Sequence, residues 1–445
     1  MTRRSSRPVL GLALCAACLA CRTPSVRGAA PDDPPAGAKS TPAGEIPLSE
    51  RRAPYDPTVT AKTVEFWEQR VKADPKGAIG FRTLAAAYLN RMRETGDIQD
   101  AVLAEKAARE ALRLQPRGNV VVLSKLARAL LGQHRFPEAL KLADQAAEID
   151  PQQHRLRADI LLELGKYDEA DAALAKAPPS TEEPDDPNYN ALQARIAEIH
   201  GHPDKALELM QAARRMVDEM PDTPSESVAW YHTMIGHALI DSGKLEAGEK
   251  SCKDALAIFP RDYRAMTGMA EAASWRGDWK EAIAWGEKAI AIAPQNPEAL
   301  KLLGEAHAAL GEREEADRQF AALDKLAHSF PRIYDRHWAL FLADKGRDLD
   351  EALAVARKDL ELRQDVHGYD TLAWACLKKG LIPEAEAAMT KALALGTKEA
   401  PLLQHAGEIA LAAGDRDRGE RLLAEARALN PYLAKAAPAD PPAGK

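Results

Sequence analysis

From about residue 61 to residue 433, apolar residues recur at i, i+3, i+4 and i+7, the spacing that gives a helix one buried stripe. The helices so predicted come in pairs, and the pairs repeat. One stretch reads Met266, Met269-Ala270, Ala273, Gly277-Asp278-Trp279, Ala282, Gly286, Ala289 and Pro294. The next reads Leu300, Leu303-Gly304, His307, Gly311, Ala316, Phe320 and Leu323. A small residue early in each second helix is the best ruler. It falls at Ala104, Ala139, Ala170, Ala206, Gly248, Ala282, Ala316, Ala352, Ala385 and Gly419, with steps of 35, 31, 36, 42, 34, 34, 36, 33 and 34. A constant period in that range is the mark of a repeat array. Gly165, Gly201, Gly243, Gly277, Gly311, Gly380 and Gly414 stand where each first helix must end in a left-handed residue. Pro116, Pro151, Pro260, Pro294 and Pro431 end second helices and open the next unit. A single hairpin cannot hide its apolar faces, and a stack can. The pattern therefore predicts an all-α solenoid of about ten helix-turn-helix units.

The order of a large residue, Leu-Gly, an Ala, an aromatic, an Ala and a closing Pro resembles the tetratricopeptide repeat (TPR). The resemblance covers roughly residues 79–433, with Thr63–Asp74 as a preceding capping helix. The last third, from His337-Trp338-Ala339 through Tyr369-Asp370-Thr371-Leu372-Ala373-Trp374 to His405-Ala406-Gly407, looks like bacterial TPR proteins and adds to the fold expectation alone. Three irregularities break the period. An insertion near Arg91–Gly96 lengthens the loop after Tyr88, an acidic Pro-rich stretch occupies about 178–187, and Met220-Pro221-Asp222-Thr223-Pro224-Ser225 interrupts near 220–227. The last two read equally as bends in the array or as loop insertions that leave the stacking intact.

The two ends differ from the array. Arg3, Arg4 and Arg7 precede an apolar run, Val9 to Ala20, too short to span a bilayer, so residues 1–20 read as a signal peptide. Cys18-Leu19-Ala20-Cys21 resembles a bacterial lipobox, which implies lipidation of Cys21, although Cys18 stands where a Leu is usual. An ordinary cleaved signal is the other reading. Residues 21–60 are rich in Pro, Ala, Gly and Ser and read as a disordered stalk, and 434–445 as a disordered tail. The expectation is an exported lipoprotein, anchored through lipid and facing the periplasm. Arg22 in place of an Asp after the Cys tilts this to the outer membrane. Cys252 and Cys376 lie four repeats apart, too far for a disulfide.

Composition removes further classes. Aromatics are 5% of the chain, and its formal charge of −7 is interleaved in sign, so nucleic acid is not an expected partner. His200-Gly201-His202 sits at a turn without enough ligands for a metal. His232 and His237 are five apart, where a helical metal pair needs three or four. Gly236 to Lys244 lacks the spacing of a phosphate loop, and Gly-x-Ser-x-Gly is absent. No catalytic residue, metal or cofactor is expected.

What the TPR resemblance implies is binding. First helices of such arrays line a concave groove, and carrying the inward places onto this chain gives Trp230, His237, Arg264, Glu271, Trp275, Lys301, Glu305, Asp370, Trp374, Gln404 and Glu408. Trp and Arg carry much of the energy of interfaces, so Trp230, Trp275 and Trp374 lead that set. Each Trp reads equally well as a filler between repeats. The expected function is a scaffold or adaptor of the bacterial cell envelope that holds a partner peptide or helix. The alternatives are a soluble exported protein binding a glycan or small ligand, or an enzyme of unrecognised type. Self-association through an uncapped last repeat is a further expectation.

Overall fold

The computed structural model describes residue 52, residues 54–179 and residues 186–434. The expected signal, Cys21, most of the stalk and the tail lie outside the described residues. Among those described there are 21 α-helices and no strand. Helix α1 (Thr58–Ala73) precedes ten hairpins, so the expected capping helix is present and starts five residues earlier. The first five hairpins pair α2 (Ala78–Thr95) with α3 (Ile98–Leu114), α4 (Val120–Gly132) with α5 (Phe136–Ile149), α6 (His154–Glu163) with α7 (Tyr167–Ala175), α8 (Pro187–Ile199) with α9 (Pro203–Asp218), and α10 (Ser225–Asp241) with α11 (Leu245–Ile258). The second five pair α12 (Tyr263–Arg276) with α13 (Trp279–Ile292), α14 (Pro297–Ala309) with α15 (Arg313–Ser329), α16 (Asp335–Lys345) with α17 (Leu349–Leu362), α18 (Val366–Lys379) with α19 (Ile382–Ala392), and α20 (Ala400–Ala412) with α21 (Arg416–Leu429).

Local chemistry starts and stops these helices. Asp262, Asp278, Asp365 and Asp415 accept backbone N–H bonds at the N-termini of α12, α13, α18 and α21, which satisfies otherwise orphaned donors. Small residues then let the two helices of a hairpin touch. Ala104, Ala139, Ala170, Ala352 and Ala385 have no solvent exposure. A Cβ on Gly248 would lie 2.7 Å from the Gly236 carbonyl oxygen, and one on Gly304 would enter the Phe320 ring. The ruler in the sequence is therefore a crossing point, where any larger side chain would push the hairpin apart.

First helices pack on the first helices of the next unit, so they form the inner wall and the second helices the outer one. One apolar cluster contains residues from both sides of the 180–187 and 220–227 breaks, from Ala173 through Leu192 and Val217 to Val228. The expected longer loop after Tyr88 does not form. Helix α2 runs unbroken to Thr95, because Arg91, Met92 and Arg93 continue the helical stripe, and Gly96 ends it at φ 69°.

The array curls until it meets itself. Leu164 accepts a backbone bond from Gln364 (3.2 Å), and the Tyr167 hydroxyl accepts one from the Val366 N–H (2.9 Å). Thr397 Oγ1 donates to the Ile199 carbonyl (2.5 Å). Asn430 Nδ2 donates to the Asp241 carbonyl (3.0 Å). The rule is regular: the turn inside hairpin n meets the junction that follows hairpin n+5. One superhelical turn thus takes between five and six hairpins, and the second turn sits on the first. His200-Gly201-His202 is part of this seam. Gly201 is buried against Gly396 of the turn above, while His202 stays exposed. The junction after the last repeat joins the seam as well, for Asn430 is fully buried and Pro431 packs on Gly243.

Candidate functional site

The inner wall of the superhelix carries a ladder of charged and aromatic side chains, and the groove candidates lie on it or beneath it. Arg195 on α8 reaches back to α6, with Nη1 2.5 Å from Asp159 and Nη2 2.6 Å from Glu163. His237 on α10 donates through Nε2 to the Arg264 carbonyl (3.0 Å), and its Nδ1 is 3.8 Å from Glu271 on α12. Lys301 on α14 is 3.4 Å from Asp344 on α16, and Lys345 is 3.6 Å from Glu305. Asp344 also accepts from the Trp374 indole on α18 (2.9 Å). Trp374 stacks on His405 at 3.9 Å, and His405 Nδ1 is 2.9 Å from Asp370. Gln404 donates to Glu408 on α20 (3.3 Å).

Eight of the eleven predicted residues, His237, Glu271, Lys301, Glu305, Asp370, Trp374, Gln404 and Glu408, thus join one ladder. Arg264 departs from it: its side chain is tied to Glu226 (2.9 Å) and Asp262 (3.1 Å). Trp230 and Trp275 are buried in the apolar core, Trp230 edge-on to Tyr231 at 4.9 Å. Trp374 is wholly buried as well. The surface that water still reaches belongs to the charged members, Arg195, Glu271, Glu305 and Glu408, all half-buried.

Sequence reading missed the carboxylates that complete the ladder: Glu198, Asp241, Glu298, Asp344 and Glu399. A signal existed. Glu198 and Asp241 stand three and four residues after the inward Arg195 and His237, on the same helical face. What the sequence does not show is that Glu399 joins them from the next superhelical turn. Burial first, and then the like charge of Glu399, pushes Glu198 up to about 7. Burial, Glu271, Glu198, Glu298 and Glu399 together hold Asp241 well above the usual carboxylate range. Burial and Glu271 push Glu298 up to about 7. Burial opposes the charge on His367, but Glu399 at 3.0 Å lifts it to about 9.

Among the described residues, two cavities lie where the turns meet. The larger, about 290 Å³, lies between α8, α9 and α10 below and the segment Lys398–Pro401 with Ala428 and Leu429 above. The smaller, about 210 Å³, lies between Gly96, His134 and Glu163 on one turn and Glu298, Arg336 and His337 on the other. Among the described residues no three His, Cys, Asp or Glu side chains are placed to hold a metal ion. No described helix is long and apolar enough to cross a membrane. Cys252 and Cys376 are free and fully buried, on α11 and α18, where burial raises both thiols.

Two family models described as tetratricopeptide repeat match the chain. One matches residues 124–187, 155–221 and 233–297, and the other residues 276–335. Nothing among the curated proteins matches. Solved structures similar to it include a tetratricopeptide repeat protein from Parabacteroides merdae, at 19% identity and TM-score 0.37, over 54% of this chain and 93% of that one. Yeast Tom70 aligns at 17% identity and TM-score 0.37, over 83% and 88%. The Cut9–Hcn1 hetero-tetramer of the APC/C aligns at 13% identity and TM-score 0.33, over 84% and 92%.

Proposed function

We propose that this chain, an all-α solenoid carrying tetratricopeptide repeats, is a protein–protein interaction scaffold of the bacterial cell envelope. Repeats of this family typically serve as non-catalytic scaffolds. The observation that carries the reading is the inner wall itself, where charged groups from successive first helices line one continuous concave face. Such a face, whose water-reached groups are mostly carboxylates, suits a partner peptide or helix that presents basic groups. The half-buried Glu271, Glu305 and Glu408 are its contact points, with the buried Trp230, Trp275 and Trp374 holding the wall in shape.

The envelope setting rests on the signal-like N-terminus and on Cys21, which would carry the lipid. Helix α1 begins at Thr58 and Tyr55 packs on Phe259, so the stalk would be shorter than the expected 21–60, running to about residue 51, and the partner would be met at the periplasmic face of a membrane, most simply the outer one. The test is a pull-down of the full chain from solubilised membranes, beside a Cys21→Ala variant and a Glu271→Lys/Glu305→Lys double variant. We expect a reproducible envelope partner with the wild type, loss of membrane partitioning in the first variant and loss of the partner in the second. A wild-type protein that stays soluble and captures nothing would overturn both the tether and the scaffold role.

A further inference from the structure

Contacts along the seam share one form. A turn inside a hairpin of the lower superhelical turn, hairpins one to five, presses on a junction that follows a hairpin of the upper turn, hairpins six to ten. The residues ahead of α1 extend the series downward. Arg52 donates to the Met220 carbonyl (3.0 Å) and the Tyr55 ring stands edge-on to Phe259 at 4.8 Å, at the junctions after the fourth and fifth hairpins. Two edges of the same kind are left bare among the described residues. On the upper rim, the turns at Gly277, Gly311, Gly346, Gly380 and Gly414 have open space beside them. On the lower rim, the chain is exposed at residues 74–76, 115–118 and 151–152, the junctions before the first hairpin and after the first two.

These bare edges carry apolar residues at the places where the seam covers its own. Leu164 precedes Gly165 in the seam and is 8% exposed, whereas Leu310 precedes Gly311 on the upper rim and is 37% exposed. Leu429 ends the helix before Asn430-Pro431 and packs on the apolar cluster that spans the seam. Ile149 ends the helix before Asp150-Pro151 and is 51% exposed. The second residue of a first helix is buried at Arg336 and Pro401, where the upper turn rests on the lower. Ile79 and Val121 hold that place on the lower rim and are 62% and 45% exposed. A single exposed apolar side chain is ordinary. These stand where the same fold, one superhelical turn away, covers their equivalents.

We propose that copies of this chain stack head to tail, the upper rim of one seated on the lower rim of the next, so that the superhelix continues from molecule to molecule. The seam supplies the register. The turn inside hairpin five meets the junction after hairpin ten, so the first hairpin of the next copy counts as the eleventh. Gly311 of one copy then falls over Asp150-Pro151 of the next, with Leu310 beside Ile149, and Gly277 falls over residues 115–118, close to Val121. Repeat units contact only their neighbours, so such a stack reuses the interaction that already joins two turns of one copy. The two rims differ, which makes the contact heterologous: each copy holds a neighbour by one edge and keeps the other free to grow. Arg52 and Tyr55 already fill the junctions after hairpins four and five, which confines the contact to the first three hairpins.

Sedimentation of the full chain in detergent, over a dilution series, tests this. We expect a mass that climbs with concentration through the dimer to longer stacks. Leu310→Glu spoils the upper rim and Ile149→Glu the lower one, since each sets an unpaired charge in an apolar contact. Each weakens association by roughly ten- to a hundred-fold. Mixed in equal amounts, the two variants form a dimer that grows no further, because one intact upper rim meets one intact lower rim. Val102→Glu, at a residue of similar exposure on α3 beside neither rim, associates as the wild type does. All three positions are exposed, so the melting curves of the variants match that of the wild type. A wild-type chain that stays monomeric throughout would overturn the proposal. So would a mixture that associates no more than its components or grows past the dimer, or a Val102→Glu loss equal to that of Leu310→Glu. No other protein takes part, so the outcome is separate from that of the scaffold reading.

Discussion

The turns inside the first five hairpins and those inside the last five carry the same sequence mark and do different work. Gly165 and Gly380 have nearly the same backbone, φ 74° and 83°. A Cβ on Gly165 would run into the backbone of Gln364 and Asp365, whereas one on Gly380 would meet nothing within 4 Å. The contrast is general. Gly201 presses on Gly396 and Gly243 on Pro431, while Gly277, Gly311, Gly346 and Gly414 face open space. A glycine that ends a helix is one requirement, and a glycine that lets two superhelical turns touch is another. His134 in the second hairpin shows the first requirement relaxed: it holds φ 54° with a side chain, and its Nδ1–H donates to the Arg332 carbonyl (3.1 Å).

The seam should therefore break most readily from the side that supplies its charges. Arg336 is 2.6 Å from Asp365 and 3.2 Å from Asp359, and Arg363 is 2.9 Å from Asp359, all four buried. This network fixes the junction on which Gly165 and Tyr167 lean. Arg336→Ala leaves two buried carboxylates short of a partner and should cost about 3–5 kcal/mol in urea unfolding. Small-angle scattering should show a larger radius of gyration as the turns part. A loss of stability with unchanged dimensions would mean the network serves its own hairpin and not the seam.

Next in size comes the paired test of the comparison itself. Gly165→Ala combines left-handed strain with a backbone collision, about 2–4 kcal/mol together. Gly380→Ala has the strain alone, about 1–2 kcal/mol. Equal losses in the two variants would show that the contact across the seam contributes nothing.

The contrast also marks where sequence reading stops. Hairpin number, the crossing residues and most turn glycines followed from a period near 34, because they depend on neighbours within a few dozen residues. The inner face was legible for the same reason, so His237, Glu271, Lys301 and Glu305 were found. The partners across the seam are about 200 residues away, and nothing local pairs Gly165 with Gln364 or Glu198 with Glu399. Superhelical pitch is the sum of small rotations at every hairpin, and no single residue encodes it. The burial of Trp230, Trp275 and Trp374 stood as one of two equal readings for a related reason, since a large inward side chain fills space or offers a surface according to how tightly the wall curls.

The smallest predicted effect sharpens the comparison electrostatically. Glu298 opens α14 and lines the smaller cavity, so it belongs to the second turn where that turn covers the first. Burial and Glu271 raise it from an ordinary 4.5 to about 7, while His237 and Lys301 pull the other way. A carboxyl raised in the folded state binds its proton more tightly there than when unfolded. Its contribution is complete below about 4.5 and is lost as pH rises through about 7, where the native protein must hold a crowded anion. Glu298→Gln keeps the shape and removes that ionisation. Melting curves should then show the variant and the wild type close together near pH 5, with the variant more stable at pH 8 by on the order of 1 kcal/mol. The same substitution at Glu305, which faces Lys345, should show no such gap opening with pH. If Glu298→Gln lowers stability at pH 8, the carboxylate is held by a favourable partner, and the seam is not the place of unrelieved negative charge that its geometry indicates.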